Sequence, residues 1–108
     1  MKSRFRLLLA PAFAVLLSGC DASPGPLYLG QAPVVVSIEG REYRVWSRRT
    51  GAGGQVQVVR MGYVPRGQHA GLRLAMVAAA ERATGCRVLL PSVEGDTGVI
   101  NARIRCEE

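Results

Sequence analysis

The chain has 108 residues, with fourteen Lys and Arg against eight Asp and Glu and a formal charge of +6, which limits it to one small domain. Its 48% hydrophobic content excludes a disordered polar chain. Its longest apolar run, residues 7–17, is eleven residues long, against the roughly 20 that a membrane-spanning helix needs.

Lys2, Arg4 and Arg6 surround the start of that run, and Ser18 and Gly19 lead from its end into Cys20. A basic segment, a short apolar segment and small residues in this order make a secretory signal. The string Leu17-Ser18-Gly19-Cys20 resembles the lipobox of bacterial lipoproteins, a resemblance confined to residues 1–20. It implies a diacylglycerol on the Cys20 thiol, removal of residues 1–19 as a signal peptide, and acylation of the new amino terminus. Acyl chains contribute about 0.8 kcal/mol per buried methylene, so two or three anchor a protein without help from the polypeptide. The membrane is then the first partner, and the bacterial cell envelope, facing the periplasm, is the expected location. Asp21 resembles the inner-membrane retention signal of enteric lipoproteins, which favours the inner over the outer membrane.

Cleavage before Cys20 leaves 89 residues and removes three bases but no acid, so the formal charge falls to +3. With Cys20 acylated, Cys86 and Cys106 remain as an even pair, suited to an oxidising compartment. Together with the single distant His69 they fall short of four tetrahedral ligands. No metal and no cofactor is expected.

Residues 20–33 read as the lipidated cysteine and a flexible tether, because Pro24, Gly25, Pro26, Gly30 and Pro33 interrupt regular pairing. The domain begins at Val34. Residues 34–38 and 42–48 form a hairpin across Glu39-Gly40, and a glycine-rich turn at 49–54 leads to a third strand over 55–64. Along that strand the apolar parity passes from Val56 and Val58 to Val59, Met61 and Tyr63, which predicts a bulge near Val58 and Val59. From 69 to 84 the period changes. Leu72, Ala75, Met76, Ala79 and Ala83 recur at three and four, the mark of an amphipathic helix, and Gly85 ends it.

Residues 86–90 and 99–106 are the last strands, with a connecting loop at 91–98. Cys86, Val88 and Leu90 share one parity, and Ile100, Ala102, Ile104 and Cys106 share another. A hairpin centred on Asp96 makes partner numbers sum to 192, which sets Cys86 against Cys106 and predicts a disulfide closing a loop of about twenty residues, worth roughly 3 kcal/mol. The elements run β-β-β-α-β-β over residues 34–108. They specify an α+β, two-layer fold, an antiparallel sheet of about five strands with one helix on one face.

Catalytic patterns are missing from the sequence. His69 has no motif linking it to a nucleophile. Gly51-Ala52-Gly53-Gly54 lacks the Lys-Ser/Thr of a phosphate loop, and Glu94 with Asp96 reads as turn chemistry rather than a calcium site. One surface stands out. If the helix covers one face of the sheet, the other receives Arg44, Trp46, Arg48, Arg87, Asn101, Arg103 and Arg105. Arg44, Trp46, Arg48, Arg103 and Arg105 form the candidate binding face, arginines for an anionic group and Trp46 for a ring or a partner's pocket. The alternative is a solvated face with Trp46 packed under arginine stems. The expected function is a non-enzymatic binding or adaptor module engaging an envelope protein or an anionic envelope component, not nucleic acid. The competing expectation is a structural subunit whose open face is buried in a homo-oligomer.

Overall fold

The computed structural model describes residues 25–107. The expected signal segment 1–19 and the expected lipidation site Cys20 lie outside them. Six strands and one helix form an α+β fold: β1 (Val34–Ile38), β2 (Arg41–Thr50), β3 (Gly53–Arg60), α1 (Leu72–Thr84), β4 (Arg87–Val88), β5 (Glu94–Gly95) and β6 (Val99–Arg105). The strand order is β1-β2-β3-β6-β4, with β5 also on β6 and every pair antiparallel. The C-terminal strand therefore inserts between β3 and β4, the two strands that flank α1.

The core lies between α1 and one face of the sheet. Tyr43, Val45, Val56, Val58, Ile100, Ala102 and Ile104 come from the strands, and Met76, Ala79 and Ala80 come from the helix. Small alanines let the helix pack close to the sheet, and full burial of an apolar side chain contributes roughly 1.5–3 kcal/mol. The helix begins at Leu72 rather than at 69. Residues Arg66–Gln68 form a separate 3-10 turn, and Gly71 at φ 81° breaks the right-handed run between them. At the other end the Gly85 N–H donates to the Glu81 carbonyl at 2.8 Å.

The expected bulge in β3 is absent. Partner numbers are constant along β2–β3 from Tyr43↔Arg60 to Thr50↔Gly53, and along β3–β6 from Gly53↔Arg105 to Val59↔Val99. The apolar parity changes because both faces of the strand are covered: Val56 and Val58 join the main core, while Val59 joins Tyr28 and Trp46 in a second cluster. The strand ends at Arg60, and Tyr63 is 87% exposed.

The last hairpin keeps its expected register only at its base. Arg87 faces Arg105 and Val88 faces Ile104, whereas Glu94 faces Asn101 and Gly95 faces Ile100, a shift of three residues. The 3-10 turn Leu90–Ser92 takes up the difference, and Leu90 points out, 61% exposed, instead of opposing Ala102. Ser92 repairs the ladder there. Its hydroxyl donates to the Leu89 carbonyl and accepts from the Arg103 N–H at 2.8 Å. Cys86 and Cys106 are joined by a disulfide.

Gly95, at φ 114°, lies in a conformation that L side chains rarely adopt, and a Cβ there would meet the Val99 carbonyl oxygen. Gly95→Ala should therefore lower stability by about 1–3 kcal/mol. Loss of either cysteine of the disulfide should cost about 2–5 kcal/mol. Denaturant unfolding of oxidised protein checks both; unchanged midpoints would remove these two constraints from the account.

Candidate functional site: the second face of the sheet

Side chains alternate across a strand, so the registers fix which residues share the face turned away from α1. They lie in rows across the sheet: Arg44, Val59 and Val99; Trp46, Gln57 and Asn101; Arg48, Gln55 and Arg103; and finally Arg105 with Arg87. Neighbouring strands are about 4.8 Å apart. Arg48 and Arg103, two strands apart, therefore flank Gln55, while Arg105 and Arg87 stand directly opposite each other.

This face is not bare. Residues 25–31 fold back across its middle, which corrects the expectation of a tether running to residue 33. Pro26–Tyr28 form a 3-10 turn, and Tyr28 packs on Trp46 and Val59, with Val99 partly buried against them. Polar contacts fasten the segment. The Gly25 N–H donates to Gln57 Oε1 at 3.0 Å, and Gln57 Nε2 donates to Asn101 Oδ1 at 3.0 Å. Trp46 Nε1 donates to the Gln31 carbonyl at 3.0 Å, and Gln31 Nε2 to the Ser47 carbonyl at 2.8 Å. The buried Gln57 amide and the buried Trp46 indole N–H thus both have partners, as burial requires.

The expected face is therefore divided. Trp46 is only 3% exposed, so it is unavailable to stack on a ligand ring, and its cover is the 25–31 segment rather than arginine stems. Arg44 is half-buried, while Arg48, Arg103 and Arg105 are exposed. Arg87, from the short fourth strand, is exposed beside them. Among the described residues Arg41, Arg49, Arg73 and Arg82 donate side-chain hydrogen bonds within the protein. No such bond ties Arg48, Arg87, Arg103 or Arg105 among the described residues. A hollow of about 560 Å³ adjoins Arg87 and Arg105, with Glu81 and Glu107 also in its lining, and two more adjoin Arg48 and Arg103. The first of these two, of about 490 Å³, is lined in part by Leu27, Gln55, Asn101 and Arg103; the second, of about 360 Å³, by Leu27, Arg48, Gln55 and Arg103. Acids border the patch: Glu42 lies beyond Arg44, Glu94 shares the 490 Å³ hollow with Arg103, and Glu81 and Glu107 border the hollow beside Arg87 and Arg105.

Arg87 and Arg105 are the decisive pair. Directly opposed side chains have Cβ atoms about 4.5–5.5 Å apart, and like charges there destabilise a sheet. Arg103 adds a third cation two residues along, and Arg48 adds a fourth across Gln55. This end of the face can receive an anion through several planar guanidinium groups.

Away from this face, one contact was not legible in the sequence. His69 Nδ1 lies 2.7 Å from Thr97 Oγ1, and His69 Nε2 lies 2.9 Å from the Val64 carbonyl. In the neutral ring Nε2–H donates to the carbonyl and Nδ1 accepts from the hydroxyl. A hydroxyl on an imidazole is the start of a nucleophile and base, but the local amides of Gly98 and Val99 are already held by the Asp96 carboxylate at 2.7 and 3.1 Å. Neither His69 nor Thr97 lines any of the five principal hollows among the described residues. The pair pins the 64–69 segment to the last hairpin. Backbone hydrogen bonds from Gly98 and Val99, helped by the Arg60 charge, hold the Asp96 carboxyl below its ordinary range. Among the described residues no group of three or more His, Cys, Asp and Glu is placed to hold a metal ion. No helix among them is long and apolar enough to cross a membrane.

Comparison of the chain with family models, with curated proteins and with solved structures returns no match.

Burial pushes the Tyr28 hydroxyl above its ordinary value of 10.0, and the Arg48 charge draws it partly back. The raised pKa means that stability from this contact is complete below pH 10.0 and is lost as pH rises from there through the folded value. Trp46 emission should accordingly shift to the red above pH 10 as the segment lifts. Tyr28→Phe should remove that step, and a step that persists in the variant assigns it to another group.

Proposed function

We propose that this chain is a lipid-anchored, non-enzymatic protein of the bacterial cell envelope, held by Cys20 and facing the periplasm, whose open sheet face binds an anionic envelope component. The observation that carries the binding reading is the opposed Arg87–Arg105 pair with Arg103 and Arg48 beside it. These cations repel one another in the free protein, and an anion offsets that repulsion. The lipid anchor rests on the Leu17-Ser18-Gly19-Cys20 string and on the odd cysteine count. The Cys86–Cys106 disulfide supports an oxidising compartment, and Asp21 favours the inner membrane.

The same charges weigh against a homo-oligomeric seam. A two-fold interface places one patch against its own copy, which would bring two sets of four arginines together. The non-enzymatic reading is supported by the hydroxyl–imidazole pair Thr97 and His69, which among the described residues lines none of the principal hollows and has the neighbouring Gly98 and Val99 amides already bonded to Asp96.

Cys20→Ala should abolish acyl labelling and release the protein from membranes; retained labelling and fractionation would sink the anchor. Density-gradient separation of the two membranes reads the location. Arg48→Glu combined with Arg103→Glu should leave the circular-dichroism spectrum and disulfide intact while lowering recovery of envelope partners. Wild-type recovery should fall with added salt, because exposed charge contacts are screened beyond about 8–10 Å. Unchanged recovery in the double variant would remove the arginine face from the function.

A further inference from the structure

The described chain starts on the arginine-bearing face. Gly25 is held there by Gln57, and only Asp21, Ala22, Ser23 and Pro24 separate it from Cys20. Five Cα-to-Cα steps of at most about 3.6 Å span roughly 18 Å. To turn α1 toward a bilayer, that link would have to pass the full depth of the fold. A helix with its side chains is about 10–12 Å across, and packed layers are about 10 Å apart, which puts the outer surface of α1 about 20 Å from Gly25. A link of this length reaches a bilayer from the open face and not from behind the helix.

Charge and apolar exposure favour the same orientation. Arg48, Arg87, Arg103 and Arg105 crowd one end of this face. Leu27 and Leu29, on the segment that crosses it, are 51% and 73% exposed. We propose that the open face docks on the bilayer in which Cys20 is anchored, its arginines binding the phosphates of anionic phospholipids and Leu27 and Leu29 settling at the headgroup boundary. This docking rests on the acylation of Cys20 proposed above. One lipid signal combined with a basic patch is a general means of holding a protein against a membrane. Here the patch also sets which way the domain faces, leaving α1 and the exposed Leu74 toward the periplasm.

The test uses the mature acylated chain, in detergent and in vesicles of phosphatidylcholine with or without phosphatidylglycerol. Arginines are modified with phenylglyoxal and each site is read by mass spectrometry. In vesicles containing phosphatidylglycerol, Arg48, Arg103 and Arg105 should react at least about five-fold more slowly than in detergent, the effect of roughly one favourable headgroup contact each. Arg66 and Arg73, away from the face, should react equally in both. High salt, or Arg48→Glu with Arg103→Glu, should restore reactivity at Arg105. Equal reactivity in detergent and vesicles overturns the docking, as does equal protection without phosphatidylglycerol. Protection found only in native envelopes also overturns it and gives the face to a protein partner. The mass of the Cys20 peptide separates the two proposals. An unmodified Cys20 overturns the anchor and this docking together, whereas an acylated Cys20 with freely reacting arginines overturns the docking alone.

Discussion

Strand β3 has partners on both edges and cover on both faces, and the rest of the fold depends on that double burial. A domain this small with one helix has enough helical surface for one side of its sheet. The other side is left as a pleated surface with backbone groups paired and apolar side chains exposed. Residues 25–31 solve this by lying across β2, β3 and β6. They bring one aromatic ring and two main-chain contacts, and little else is needed. Gln57 is the pivot: its amide joins the incoming chain on one side and Asn101 on the other. A buried amide is costly without partners, so the same group that fixes the segment requires it.

That arrangement also shows where reading from sequence ran out. The helix, the first hairpin, the antiparallel two-layer plan and the cysteine pairing follow from period, turn residues and parity, all properties of neighbouring residues. Insertion of β6 between β3 and β4 was not legible, because no local signal states which strand edge a C-terminal strand will choose. The covering segment was misread for a related reason. Pro and Gly at 24–26 correctly exclude a long helix or strand, but a short 3-10 turn around Tyr28 needs neither. The parity change at Val58 and Val59 carried the missing information. It marked a strand buried on both sides, and a bulge was the wrong physical reading of it.

The candidate site was legible in part. Alternation placed Arg48, Arg103 and Arg105 together on one face correctly, since strand parity depends only on spacing. It also placed Trp46 there, and only the tertiary cover shows that the indole is spent on the fold. With Trp46 buried, the exposed face offers guanidinium groups rather than an aromatic ring. Arg87 gains weight by the same step, because it opposes Arg105 once β4 pairs with β6.

The disulfide lies beside the one pair of like charges set directly opposite each other in the described sheet registers. Cys86 and Cys106 are the immediate chain neighbours of Arg87 and Arg105, the pair of like charges set face to face. Strand β4 is only two residues long, and one further bond, from the Leu89 N–H to the Arg103 carbonyl at 2.9 Å, ends its contact with the ladder. Two residues of pairing with opposed cations give an edge with little intrinsic hold on β6. A covalent link at the residue before it keeps β4 in register, and the Val88 N–H donates a further hydrogen bond to the Glu81 carboxylate at 3.0 Å. The cross-link thus opposes the repulsion and holds Arg87 and Arg105 side by side. A cationic edge strand without that link would relieve the repulsion by fraying, which would carry Arg87 away from Arg105.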